Sequence, residues 1–517
     1  MDPKSILICG GGTAGWMAAN MFQHRWPKTH ITLIESDNVG IIGVGEGSTP
    51  YLKHFFAQLG IKDSDWMPQC NATYKVGISF PNWSTRKGHE QYFHPFFSEL
   101  DIEPGEPFFH NAKLQRSGVE ANAHPDHYFV TAQMARDCSA PISNKYPDLN
   151  IDYGYHFDSG LLGEYLKKRA IGLGLTHIVA DIENVNVDDN LYINSVQSNA
   201  GSHTAEVYVD CTGFRSLLMQ QALAEPFISY EDNLFNDSAI AIATDLNLDE
   251  PITPQTRSSA LTCGWAWQIP LTNRYGNGYV YSSKYISDDD AEQELRAHLG
   301  IEDKPEIKAR RLKMKIGRIE HHWKGNCLAV GLSQGFIEPL EATALMLVQY
   351  TIDNFIEHYV HIEHNSPNKQ RNHLAAQESF NSNVNKMMEG IRDYIVTHYV
   401  TNTRDDSAYW ADCRNALKSK RLERLLKVWD DNGDFESVLN ELDDGLVYLR
   451  PSWYVLLMGV GRFTTKLEQV APAAKPVLDY KNSRGYCEQL VADVFPQHNQ
   501  YLQSIYGDKW PDKMSLI

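Results

Sequence analysis

No run of 18 apolar residues occurs in the chain, which leaves no candidate for a membrane-spanning helix. Positive charge is in deficit: 47 Lys and Arg face 65 Asp and Glu, a formal charge of −18. Such a surface repels phosphate backbones and anionic headgroups, so neither nucleic acid nor a membrane is an expected partner. Cysteine is sparse and dispersed. Cys9, Cys70, Cys138, Cys211, Cys263, Cys327, Cys413 and Cys487 stand singly, without the C-x-x-C spacing of a metal or redox site. A disulfide scaffold would be denser. The N-terminus lacks the basic stretch, apolar run and small-residue cleavage site of a secretion signal. These absences predict a cytoplasmic protein with reduced thiols. Internal repeats are missing, and compositional bias is confined to short acidic turns such as Asp288–Asp290.

The 517 residues suffice for two or three packed units, and 42% apolar with 22% charged content is ordinary for a folded chain. Ser5 to Cys9, SILIC, has the length of a buried strand. Gly10 to Gly15 breaks it, a helical pattern runs to Trp26, and Ile31 to Glu35 reads as a second strand, completing a βαβ half-unit. The stretch from Trp83 to Tyr146 is rich in Phe, His and Pro without clear periodicity, and is read as an insertion over a substrate site. A helix is expected over Leu161–Gly172, then strands in HIVADIENV and VYVDCTG. Short strands alternate over 225–315, and from Glu341 onward the pattern is mainly helical. His358, His361 and His364 share a predicted helix, but the outer two diverge on the wheel and no H-E-x-x-H is present, so no metal is expected.

Gly10-x-Gly12-x-x-Gly15 sits between strand and helix, with Thr13 and Ala14 opening the helix and Glu35 following Gly15 by 20 residues. In that context the spacing has a mechanism. Gly10 permits the tight turn, Gly12 lets backbone approach a pyrophosphate, and Gly15 lets helix and strand pack closely. The helix N-terminus offers free N–H groups, and Glu35 can accept from ribose hydroxyls. A second strand-end glycine motif, Asp210-Cys211-Thr212-Gly213, and a third return at CLAVGLSQGF fit FAD better than NAD. No second complete glycine fingerprint offers a nicotinamide site, so a separate reductase is expected to supply the reduced flavin.

Gly264-Trp265-Ala266-Trp267-Gln268-Ile269-Pro270 matches the G-W-x-W-x-I-P signature, and here the chain resembles the flavin-dependent halogenases, best known from the tryptophan halogenases. GVGEGSTP at Gly43–Pro50, TYKVGISFPNW around Lys75, GFIEPLEATAL at Gly335–Leu345, RDYIVTHY at Arg392–Tyr399 and RDDSAYW at Arg404–Trp410 are similar to further family segments, over roughly positions 5 to 461. The resemblance implies an α/β fold with a Rossmann-type FAD domain, glutathione-reductase-like or aromatic-hydroxylase-like, an inserted substrate sheet and a helical C-terminal part. The expected layout is an FAD-binding domain over 1–225 with the insertion at 83–150, a substrate-side sheet over 226–315, a return to the FAD domain over 316–350 and a helical cover over 351–517.

It implies chemistry as well. Reduced FAD and oxygen convert chloride or bromide to hypohalous acid, which travels an internal tunnel and halogenates an electron-rich aromatic ring. Lys75 then corresponds to the lysine that activates the halogen, and Glu341 to the glutamate that stabilises the ring adduct and takes its proton. Thr343 and Ala344 align with the halide-binding pair. Gly47, Ile182, Leu332 and Leu345 align with flavin contacts. His94 and Phe96 match one aromatic wall of the substrate site. The other wall reads Val447-Tyr448 instead of Phe-Trp, which argues against free tryptophan and leaves another indole, a phenol or a larger aromatic open. A homodimer also stays open. Two other readings compete: an FAD-dependent aromatic hydroxylase, against which GWAWQIP and Lys75 speak, and a flavin-bound sensor without turnover, for which no effector segment exists.

Overall fold

A computed structural model describes residues 2–38, 45–247, 249–361, 369–442, 445–463 and 476–510. Ser5–Cys9 is the centre of a six-stranded sheet, and its unbroken apolar run is buried on both faces, as a strand covered on either side requires. His30–Glu35 and then Thr176–Val179 lie on one flank. Val207–Asp210, Cys327–Ala329 and the short edge Trp323–Lys324 lie on the other. All neighbours are parallel except that last edge. The chain thus returns to this sheet from three distant stretches, as the second and third glycine motifs led one to expect.

Thr13–Arg25 follows the glycine turn and packs under the sheet, tied to the helix Ser159–Gly172 by Asn20, which donates to the Leu166 carbonyl at 3.0 Å. That second helix begins earlier than the sequence pattern indicates, because the Asp158 carboxylate caps it, accepting from the amides of Gly160 and Leu161. The strand preceding it, Gly154–Asp158, is the middle of a small antiparallel sheet between Gly45–Gly47 and Thr73–Lys75. In that sheet Gly47 pairs with His156, and His156 with Thr73.

A seven-stranded, mainly antiparallel sheet runs Ala309–Lys313, Ser238–Thr244, Tyr275–Tyr281, Gly264–Pro270, Gln255–Leu261, Gly77–Pro81, Gln91–Pro95. Its last two strands come from 77–95, far from the others in sequence. Trp265, Trp267 and Ile269 alternate onto one face of it. Helices dominate the C-terminal part, led by Lys369–Thr401, whose later turns pack against this sheet's core.

Two expectations need correction. Asp288–Asp290 is no acidic turn but the first turn of a helix, Asp288–Leu299. Ser287 caps it by accepting from the Asp290 amide at 3.1 Å, acidic residues favour the positive end of its dipole, and Gly300 closes it in the left-handed region. The stretch Trp83–Tyr146 is also more regular than it reads. It contains the helices Ile102–Arg116 and Val130–Asp137, whose pattern Pro104, Gly105 and Pro107 obscure. Asp101 fastens both, accepting from the amides of Ser98 and Val130. No helix among the described residues is long and apolar enough to cross a membrane. His358 is held by the Asn354 carbonyl and Ser379, while His364 lies outside the described residues.

Candidate active site

A cavity of about 740 Å³, within the range of small-molecule sites, begins at the glycine turn and reaches Lys75. Gly10, Gly12, Thr13, Ala14 and Glu35 line its outer end, with Gly47, Ile182, Gly213, Leu332 and Leu345 further along. The residues suit a dinucleotide. Gly10 has φ +114°, and a Cβ there would stand 2.1 Å from the Cys211 carbonyl oxygen. Among the described residues a Cβ at Gly12 would meet no atom within 4 Å, so the bare backbone faces space a ligand can enter, and no described side chain caps the helix that starts there. Glu35 accepts from Lys167 at 2.6 Å and His177 at 2.8 Å on one oxygen, while its other oxygen lies over Gly11. Gly15 is off the cavity; a Cβ on it would strike the Gly10 carbonyl at 2.0 Å, so its role is helix–turn packing. Asp210 is likewise buried away from the cavity, and holds the turn of Gly213 by accepting from the amides of Thr212, Leu218 and Met219.

Lys75, on the strand Thr73–Lys75, is fully buried, and its Nζ has no hydrogen-bond partner among the described residues. Burial lowers its pKa to about 7, against the opposing pull of Glu341. Glu341 is buried too, in the short turn Pro339–Glu341. Burial pushes its carboxyl up, but His94, the hydrogen bond from His398 and Lys75 more than offset this, so it lies below the usual range. Ala342 follows at φ +56°, a left-handed conformation that costs about 1 kcal/mol for a non-glycine residue. The reversal sends Glu341 inward while Thr343 and Ala344 line the cavity at the start of the helix Ala344–Val360. Trp265, Trp267 and Ile269 form the adjacent wall; Gly264 and Pro270 lie beyond it. The Trp265 indole donates to Glu338 at 2.8 Å, which ties the signature strand to the turn bearing Glu341.

The aromatic groups gather on the far side of Lys75 and Glu341. The Phe96 ring centroid lies 5.4 Å from Lys75 Nζ. His94 Nε2 meets the Tyr394 hydroxyl at 2.9 Å, and Tyr394 stacks on Tyr448 with centroids 3.7 Å apart. The Glu341 charge is felt at His94, Tyr92, Tyr394 and Tyr448. None of His94, Phe96, Tyr448 or Glu341 lines the cavity itself.

Several site residues carry no expectation from sequence. His398 donates from Nε2 to Glu341 at 2.8 Å, and its Nδ1 meets the Tyr92 hydroxyl at 3.1 Å. The signal was RDYIVTHY, which contains both Tyr394 and His398 on one helix face near the site. His156 and Thr256, beside Lys75, fall in no motif.

The sequence model for tryptophan halogenase matches residues 5–476. The tryptophan 6-halogenase SttH of Streptomyces toxytricini is 32% identical, over 98% of both chains, and its solved structure superposes with a TM-score of 0.83 over 97% of this chain and 100% of that one. The tryptophan 7-halogenase RebH of Lentzea aerocolonigenes is 34% identical over 78% of each chain. BrvH, a flavin-dependent halogenase from Brevundimonas sp. BAL3, is 29% identical with a TM-score of 0.81, covering 97% and 99%. With the family matched along nearly its whole length and the fold shared, this chain belongs to the tryptophan halogenases and is a flavin-dependent halogenase.

Proposed function

We propose that the protein halogenates an electron-rich, indole-like aromatic with Lys75 and Glu341 as its catalytic pair. One observation carries the reading: a buried amine, without a hydrogen-bond partner among the described residues, lines the same cavity as a dinucleotide turn, with a buried carboxylate acting on it. Bound reduced FAD, delivered by a separate reductase, supplies the chemistry that turns oxygen and halide into hypohalous acid. The chain's own residues do the rest. The amides at Thr343 and Ala344 meet the halide, and Trp265, Trp267 and Ile269 exclude water along the wall. Lys75 donates to hypohalous acid and fixes the halogen's position. Glu341, held by His398, stabilises the cationic ring and accepts its proton. His94, Phe96 and Tyr448 orient the ring. In this reading 1–225 and 316–350 bind flavin, 226–315 forms the substrate-side sheet and 351–517 covers the substrate.

The test supplies enzyme, reductase, FAD and bromide to a panel of indoles and phenols, read by mass spectrometry. Brominated product from wild type and none from Lys75→Ala is the expected outcome. Hydroxylated product independent of bromide would establish the hydroxylase instead.

A further inference from the structure

Lys75 Nζ has no hydrogen-bond partner among the described residues, yet the space before it is shaped. A Cβ on Gly47 would stand 3.1 Å from Lys75 Nζ, 3.3 Å from Thr256 Oγ1 and 3.5 Å from the His156 ring. The absence of a side chain at Gly47 therefore leaves a notch between the amine and a threonine hydroxyl, and Gly47, Lys75 and Thr256 all line the cavity.

The direction of Thr256's hydroxyl proton follows from its neighbours. The Pro270 carbonyl can only accept, and it takes the single Thr73 hydroxyl proton at 2.8 Å. Thr73 Oγ1 then has only lone pairs for His156 Nδ1, 3.1 Å away, so Nδ1 carries the ring proton. His156 is fully buried beside Lys75, which disfavours the imidazolium, and its Nε2 is left bare. That nitrogen accepts the Thr256 hydroxyl proton at 2.9 Å. Thr256 has no proton left to give, and only its lone pairs remain for the notch. The small antiparallel sheet enforces this order, because Gly47, His156 and Thr73 are register partners across it.

We propose that the notch over Gly47 seats hypohalous acid at two points: Thr256 Oγ1 accepts its O–H, and Lys75 donates to its oxygen. This rests on the reading of Lys75 above and adds Thr256 as the residue that aims the halogen. With the oxygen held by both, the halogen end faces the aromatic side. As the ring carbon–halogen bond forms, the halogen–oxygen bond breaks. The departing hydroxide takes a proton from the Lys75 ammonium and leaves as water, and Glu341 takes the ring proton. A donor at position 256 would compete with Lys75 for the oxygen; an acceptor complements it. His156 and Thr73 are positioning residues, since they act only through Thr256.

The test uses FAD-loaded enzyme with reductase, bromide and an indole that the wild type accepts. Product per flavin oxidised is measured beside hypobromous acid caught by a diffusible acceptor in bulk. Thr256→Val keeps the shape and removes the acceptor; its product per flavin should fall by about tenfold or more while trapped oxidant rises. Thr256→Ser restores the hydroxyl and should stay within about threefold of wild type. Thr256→Ala serves where the valine variant fails to hold FAD. The Lys75 titration, followed by NMR of isotope-labelled lysine in the oxidised FAD complex, should move down in Thr256→Val and return in Thr256→Ser. Wild-type coupling in Thr256→Val, loss in Thr256→Ser as deep as in valine, or an unmoved Lys75 titration overturns the seat. An active Lys75→Ala would instead overturn the reading it rests on.

Discussion

Burying Lys75 has a thermodynamic consequence that separates stability from catalysis. In the folded protein its amine titrates at about 7, against an ordinary 10.5. Between those values the unfolded chain binds more protons, so this group's contribution makes stability rise with pH from about 7 to 10.5. Below about pH 7 both states are protonated and the fold bears the full cost of an interior ammonium. Removing the amine relieves a cost on the order of 4 kcal/mol at pH 7. Lys75→Met is therefore expected to abolish halogenation and to melt a few degrees above wild type at pH 7, with the gap closing toward pH 10; thermal unfolding across pH checks it. Glu341 works the other way. In the proposed mechanism its hydrogen bond from His398 and its position among aromatic rings serve the step in which the ring loses its proton. Glu341→Gln should lower kcat by about 100-fold with little change in KM for halide, measured in steady-state kinetics.

Between the residue and the molecule stands the signature strand Gly264–Pro270. Its neighbour Tyr275–Tyr281 carries Gly278 opposite Trp267, and a Cβ on Gly278 would lie 2.0 Å from the Trp267 ring. Gly278→Ala must push that indole off the sheet, at about 1–3 kcal/mol, and so disturb the cavity wall that Trp267 forms. Retained FAD with halogenation reduced by about tenfold or more is expected, read from flavin absorbance and product yield. Wild-type yield in this variant would show that the indole does not shape the passage. The signature and the glycine turn were legible in the sequence because each is a local string whose spacing has its own mechanism. His156, Thr73 and Thr256 were not, because a proton chain across 73, 156, 256 and 270 is assembled by sheet register from residues that each look like ordinary polar core. The helix Asp288–Leu299 was hidden for a simpler reason: three aspartates suggest a turn unless Ser287 is recognised as their cap. In Ile102–Arg116, Pro and Gly within the first turns masked the periodicity.

At the scale of the whole molecule, the glycine turn near the N-terminus is the one complete dinucleotide fingerprint in the sequence. NADH and FAD without a reductase should therefore give no product, whereas chemically reduced FAD with oxygen and halide should give it; liquid chromatography of the reaction decides. NADH oxidation by the purified chain alone would contradict this. The architecture as a whole was foreseeable once three strand returns were recognised, but the substrate side was less so. Two strands of its sheet come from 77–95, and its aromatic groups from 94–96, 394 and 448, so no single segment describes it.

Tyr448 sits just before the helix Arg450–Gly459, on a stretch that contributes nothing to the glycine turn, the cavity wall or the small sheet around Lys75. The wall that Tyr448 contributes to the proposed ring-holding surface is thus encoded far from the cavity residues, whereas His94 and Phe96 lie close to Lys75 in sequence. Drift confined to the later part can reshape the Tyr448 wall while Lys75, the cavity and the wall of His94 and Phe96 pass unchanged to the descendants.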